Sequence, residues 1–250
     1  MSATRAAAYW QRFYDERAGQ SSTADYMRVL GYHPGPAMTH EELFARLLAA
    51  IRRQLQLGPQ HRFLDIACGF GVFTRALAAE AALAVGTDLA GMLLRKGREL
   101  APSLGDLNGL VQSRAEAQPF GASSFDRILC FGMFFHLDRD GARRTVHEIV
   151  RLLKPGGRAL IGDVLHPGRI HYERSYIERV PRLLHFPLRQ TLRLKGRLDS
   201  WRGRVVYQAY SPAFFARLLP SQVELEVDEH KTDGRRNNAA RYDVVLQKRS

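Results

Sequence analysis

Residues 63–71 read Phe-Leu-Asp-Ile-Ala-Cys-Gly-Phe-Gly, and seventeen positions after the last glycine Asp88 stands in Val-Gly-Thr-Asp-Leu. Each apolar run ends in a carboxylate, and the first is followed by a Gly-x-Gly turn and a helical pattern. Strand, tight turn, helix and second strand make the repeating unit of a parallel sheet covered by helices. The first half suits phosphates or a small zwitterion at a helix N-terminus. The second suits a ribose diol, because a carboxylate at a strand tip accepts from both hydroxyls. Together they point to a ligand that contains a nucleoside.

The chemistry of that ligand turns on Asp65. A dinucleotide fingerprint has a third glycine, Gly-x-Gly-x-x-Gly, where this chain has Thr74. A carboxylate at the strand end would repel a pyrophosphate and attract an ammonium group. S-adenosylmethionine has an α-amino group, a sulfonium and a ribose in the required order.

Six blocks then resemble one family in order and spacing. They are the Leu64–Gly71 loop, Gly-Thr-Asp88, Ala115-Glu116-Ala-Gln-Pro119-Phe120, Ser124-Phe125-Asp126, Phe135-His136-Leu137, and Arg151-Leu-Leu-Lys-Pro155-Gly156-Gly157. From about Phe63 to Asp163 the chain resembles the class I S-adenosylmethionine-dependent methyltransferases, in their small-molecule, methyltransferase-11-like branch. The resemblance implies that Asp65 balances the amino group and that Ala67, Gly69 and Gly71 bring backbone close to the methionine portion. It gives Asp88 the ribose, Leu89 and Met92 the adenine face, and Ala115 and Glu116 the adenine edge. Phe131 and Tyr14 complete the expected cofactor contacts. One departure stands out. Where the family often has an acidic residue that receives the adenine amino group, this chain has Arg114, which accepts no hydrogen bond. Adenine must then be held by backbone at 115–116 or by the Glu116 carboxylate.

The expected fold is α/β, a Rossmann-like doubly wound, mostly parallel sheet of seven strands. Strands are expected at about 61–66, 83–88, 108–112, 125–131 and 157–164, with helices at about 71–80, 90–100 and 138–153. Residues 222–229 and 241–248 read as a closing antiparallel pair. The expected division is a helical N-terminal cap over 1–60 and a cofactor domain over 61–250, with a lid inserted after the fifth strand at about 166–205. Residues 4–17 form a helix with clustered aromatics, residues 18–38 a loop, and Thr39 caps a helix with Glu42 as its capping-box partner. Ser211-Pro212 starts a further helix that Pro220 stops.

Candidate catalytic residues are His136, whose imidazole suits general-base work, and Asp163 after the fifth strand. A histidine at the position of His136 also serves packing or helix start. Tyr9, Phe135, His166, Tyr172 and Tyr176 are candidate substrate contacts, and packing explains the tyrosines equally well. No Cys/His spacing suits a metal, so none is expected.

Arginine dominates a net charge of +12, and residues 166–204 carry ten Lys/Arg against three Asp/Glu. A solvated surface explains this, as does an anionic small-molecule acceptor or carrier. The charge also suits nucleic acid, but the Asn/Asp-Pro-Pro-Tyr-type motif of base-modifying enzymes is missing after the fourth strand, which argues against an RNA-modifying methyltransferase. A non-methyl transfer or cyclisation from the same cofactor is a further alternative. No apolar run reaches the ~18 residues of a membrane span, which leaves peripheral contact through 170–195. Two cysteines inside core motifs suggest a reducing, cytoplasmic setting. Oligomeric state is not legible.

Overall fold

The computed structural model describes residues 3–21, 26–34, 38–99, 109–169, 207–229 and 240–250. In chain order its elements are α1 (Ala3–Gly19), α2 (Tyr26–Val29), α3 (His40–Leu55), β1 (Arg62–Ile66), α4 (Val72–Ala78), β2 (Leu83–Asp88), α5 (Gly91–Glu99), β3 (Gly109–Gln112) and β4 (Phe125–Phe131). A 3₁₀ turn (Phe134–His136), α6 (Arg139–Leu152), β5 (Leu153–Leu165), α7 (Pro212–Ala216), β6 (Val223–Asp228) and β7 (Arg241–Lys248) follow.

The described strands form one seven-stranded sheet in the order β3-β2-β1-β4-β5-β7-β6. β1 to β5 pair in parallel, and β7 runs antiparallel to both β5 and β6. The chain builds outward from β1 through β2 to β3, then returns to lay β4 on the other side of β1. This reversal opens a crevice at the carboxyl ends of β1 and β4, where ligands of open α/β sheets bind.

Strand alternation separates two cores. Phe63, Leu129, Leu160 and Val245 face one side, packed with Leu43, Leu47 and Ile51 of α3 and with Phe73 and Leu77 of α4. Leu64, Ile128, Ile161 and Val244 face the other, under Val146 and Ile149 of α6 and Phe215 of α7. α3 is thus a layer of the sheet sandwich, and Arg158 on β5 donates to its Gln54 carbonyl at 2.6 Å. Its start is the expected capping box, with the Thr39 hydroxyl accepting from the Glu42 N–H and the Glu42 carboxylate accepting from the Thr39 N–H.

Three local expectations change. The stretch 18–38 contains α2, a single turn held because Met27 and Val29 are buried. β5 begins at Leu153, four residues before the expected start, because Leu153 pairs with Phe125 ahead of a bulge that carries the Pro-Gly-Gly stretch. α7 starts as expected, with Ser211 as its N-cap (without a side-chain cap bond) and Pro212 in the first turn, but it ends at Ala216, short of Pro220. Among the described residues no helix is long and apolar enough to cross a membrane. Most of the expected lid lies outside the described residues, including Tyr172 and Tyr176.

Candidate active site

A cavity of about 1100 Å³, mouth included, opens at the carboxyl ends of β1, β2 and β4. Of the residues expected to hold a cofactor, Tyr14, Asp65, Ala67, Gly69, Asp88, Leu89, Ala115, Glu116 and Phe131 line it. Gly71 and Met92 do not. Gly71 sits behind the wall as the N-cap of α4. The Met92 side chain is partly buried against the core on that side of the sheet, and its backbone N–H donates to Asp15 of α1 at 2.8 Å.

The turn after β1 is left-handed at Ala67 (φ 60°), Gly69 (60°) and Gly71 (74°). The left-handed φ favours glycine at 69, and a Cβ there would also push aside the tip of the Leu30 side chain, whose Cδ2 lies 2.7 Å from its place. The loop is tied to the second strand: the Gly69 N–H donates to Asp88 Oδ2 at 2.8 Å, and the Ala90 N–H donates to Asp88 Oδ1 at 2.8 Å. Asp88 lines the cavity, and its carboxylate has further lone-pair capacity beyond these bonds. Asp65 is 2% exposed and accepts the Thr74 hydroxyl at 2.6 Å. Thr74 occupies the place of the third glycine, so the departure from the dinucleotide pattern supplies a partner for Asp65.

Burial raises both carboxyls. Asp65 is pushed up to about 7 by burial, with nearby Asp88 adding to the rise and Thr74 opposing it. Asp88 is pushed up to about 6 by burial, against its backbone hydrogen bonds. Two acids held this way favour a cationic ligand, which returns them to their charged form.

α1 and the 3₁₀ turn close the cavity. Trp10 lies against His136 with ring centroids 3.9 Å apart, and the Tyr14 hydroxyl is 3.0 Å from His136 Nε2. Burial, reinforced by Arg241, lowers His136 to about 3 and keeps it neutral. Trp10 Nε1 and His136 Nδ1 are buried without a hydrogen-bond partner among the described residues, and both residues line the cavity. Arg114 pairs with Glu116, its Nε 3.0 Å from Oε1, so the residue that departs from the family pattern is turned onto a neighbouring acid.

The set fits S-adenosylmethionine. A buried acid meets an ammonium group, a strand-tip carboxylate meets a diol, and aromatic rings surround the place between them, where a sulfonium would be favoured.

A second cavity adjoins the first, and Tyr14, Leu30, Tyr32 and Gly132 line both. It holds Phe135 and Asp163 from the expected set. Asp163 occupies a bulge in β5 with φ 64°. Its N–H donates to Asp243 at 2.8 Å, and its carboxylate accepts from Arg241 at 2.5 Å. Tyr9 lines neither cavity; it is 46% exposed and stacks on Phe13. His166 also lies outside both, packed edge-on against Tyr242 while its Nδ1 accepts the Gly168 N–H.

Sequence reading missed Tyr32, Arg17, Tyr207 and Arg241, and it left Trp10 in an aromatic group that could pack or line the pocket. Arg241 carried no sequence signal: it arrives because antiparallel β7 places its first residue opposite Leu165, at the carboxyl end of β5. Trp10 and Arg17 did carry one. They share the helix spacing of Tyr14, at i−4 and i+3.

Residues 63–157 match the family model of a methyltransferase domain. The ubiquinone/menaquinone biosynthesis C-methyltransferase UbiE of Pseudoalteromonas translucida is 35% identical over 122 residues, 46% of this chain and 47% of that one. The methyltransferase GfsG of Streptomyces halstedii is 30% identical over 146 residues, 56% and 51% of the two chains. The chain thus spans about half the length of the curated relatives it matches. Among solved structures, the phosphoethanolamine N-methyltransferase 1 of Haemonchus contortus, in complex with phosphoethanolamine and S-adenosylhomocysteine, superposes with a TM-score of 0.69 at 17% identity, over 100% of this chain and 50% of that one. The PH0226 protein of Pyrococcus horikoshii superposes with a TM-score of 0.60 at 18% identity, over 90% and 99%. Motif order and the paired strand-tip acids agree with these matches, and residues 63–157 are similar to the methyltransferase domain of the class I S-adenosylmethionine-dependent enzymes.

Proposed function

We propose that the protein transfers a methyl group from S-adenosylmethionine to a small-molecule acceptor. The observation that carries this reading is the buried Asp65 facing the same cavity as Asp88. The bound cofactor would supply a methyl group already activated on a positive sulfur with a neutral leaving group. The protein's share is to bind, orient and exclude water.

In this reading Asp65 holds the amino group and Asp88 the ribose hydroxyls. Leu89, Ala115 and Glu116 contain the adenine. Trp10, Tyr14, Tyr32 and Phe131 form the dry wall around the sulfonium. His136, held neutral and bonded to Tyr14, presents a hydrogen-bonding group at that wall; a nitrogen with a pKa near 3 is a weak base. The acceptor enters from the second cavity, which Phe135, Asp163 and Arg241 line. Both cysteines are free and buried, in keeping with the proposed cytoplasmic setting.

The test is calorimetric titration of the protein with S-adenosylmethionine and S-adenosylhomocysteine, followed by a metabolite screen for S-adenosylhomocysteine release. Absence of binding by both compounds overturns the reading. Release of methylthioadenosine instead would assign the site to cyclisation or aminobutyryl-group transfer.

A further inference from the structure

The second cavity has a composition of its own. Phe13, Tyr14, Tyr32, Phe135 and Tyr207 give it aromatic walls, and its mouth-inclusive volume is about 1160 Å³. Its charged lining is Arg17, Arg241 and Asp163, beside His33. Arg241 is spent on Asp163 at 2.5 Å and lies over the Phe135 ring at 5.3 Å. Arg17 is different. It sits over the Phe13 ring at 5.8 Å and donates one N–H to the Arg28 carbonyl at 2.7 Å. One guanidinium N–H is thus held by the backbone, while its charge meets no carboxylate among the described residues in a cavity lined by five rings. A fixed guanidinium suits a planar anion, which it can bind through paired N–H donors, and the rings suit a flat apolar body.

We infer that the acceptor is a planar aromatic acid, with its ring between Phe135 and the Tyr14–Tyr32 wall and its carboxylate on Arg17. This rests on the proposed methyl transfer and adds the substrate class. Arg241 is already engaged by Asp163, which leaves Arg17 as the guanidinium of this lining without a carboxylate among the described residues. A neutral isostere would lose the Arg17 contact, and a saturated acid would lose the ring contacts.

The experiment titrates the full chain with 3-hydroxy-2-naphthoate, with its carboxamide and with decahydro-2-naphthoate, each with and without saturating S-adenosylhomocysteine. The naphthoate should bind at least tenfold more tightly than either analogue. Arg17→Met should weaken it tenfold or more, Arg17→Lys should recover part of the loss, and both variants should bind S-adenosylhomocysteine as the parent does, which also shows that they fold. Equal binding of the carboxamide, equal binding of the saturated acid, an Arg17→Met protein with unchanged naphthoate affinity, or no naphthoate binding by the parent each overturns the inference. Failure of S-adenosylhomocysteine to bind overturns the cofactor reading instead, and the titrations without it still read the second cavity.

Discussion

The Tyr14 hydroxyl and His136 Nε2 lie 3.0 Å apart, joining α1 to the 3₁₀ turn after β4 across 122 residues of chain. Both residues line the cavity that Asp65 also lines. Burial raises the Tyr14 phenol and lowers the His136 imidazole, so both stay neutral at ordinary pH. Tyr14→Phe keeps the ring and removes the bond, leaving both imidazole nitrogens of His136 without a partner among the described residues. The expected cost is about 1–3 kcal/mol, the desolvation penalty of a newly unpaired buried polar group. Thermal melting should show it, and S-adenosylhomocysteine affinity should fall several-fold. A variant that melts and binds like the parent would remove the latch from the account.

Cofactor affinity should depend on pH through Asp65. Its carboxyl, near 7 in the fold, lies above the ordinary value of 3.8. The folded protein therefore holds a proton that the unfolded chain has released, and the ligand-free protein loses stability as pH rises from about 4 to about 7. Binding of a cation runs the other way, because only the ionised acid balances an ammonium group. Below about pH 7 the affinity should drop about tenfold per pH unit, as the competent fraction falls, with Asp88 adding to the slope below about 6. Calorimetry in buffers of different ionisation heat should detect proton release near neutrality, and Asp65→Asn should flatten the profile at weak affinity.

Asp88 has a structural duty besides its proposed ligand. Its two oxygens accept the Gly69 and Ala90 N–H groups, both at 2.8 Å. An amide has one acceptor oxygen, so Asp88→Asn turns its NH₂ toward one of those donors. The expected destabilisation is about 1–3 kcal/mol, and S-adenosylhomocysteine affinity should fall at least tenfold, since the loop and the diol contact change together. Melting temperature and calorimetry separate the two effects. An Asp88→Asn protein with parental affinity would place the ribose elsewhere.

How much of this was legible in the sequence follows from where each contact originates. The β1–turn–α4 unit and Asp88 were readable because their residues are close in the chain and each strand alternates by simple periodicity. Asp65 and Asp88 announced their chemistry because a carboxylate ending an apolar run has few other uses. Arg241 was invisible, since only the antiparallel return of β7 carries it to the cavity. Thr74 read as a missing glycine, although its hydroxyl holds Asp65. Tyr32 lay in a stretch of Gly, Pro and His that offered no period, and its place comes from α2, whose Met27 and Val29 are anchored in the core. Tyr9, by contrast, shared the aromatic pattern of α1 but falls on its exposed side. Spacing showed an aromatic cluster without saying which ring turns inward.

Gly97 tests whether the floor of the cofactor turn is set by close packing. It lies inside α5, where alanine would ordinarily gain about 1 kcal/mol of helix propensity. Its Cα side, however, faces the Phe70 backbone of the Gly-Phe-Gly turn, and a Cβ there would sit 2.4 Å from the Phe70 carbonyl oxygen. That neighbour is backbone and has little freedom to yield, and the Gly97 carbonyl also accepts from Arg75 at 2.9 Å. Overpacking of this kind costs about 1–3 kcal/mol, which exceeds the propensity gain over most of that range. Gly97→Ala should therefore lower the melting temperature and, by displacing the turn between Gly69 and Gly71, weaken S-adenosylhomocysteine binding in parallel. A rise in melting temperature would mean that propensity wins and that α5 moves away from the turn without loss.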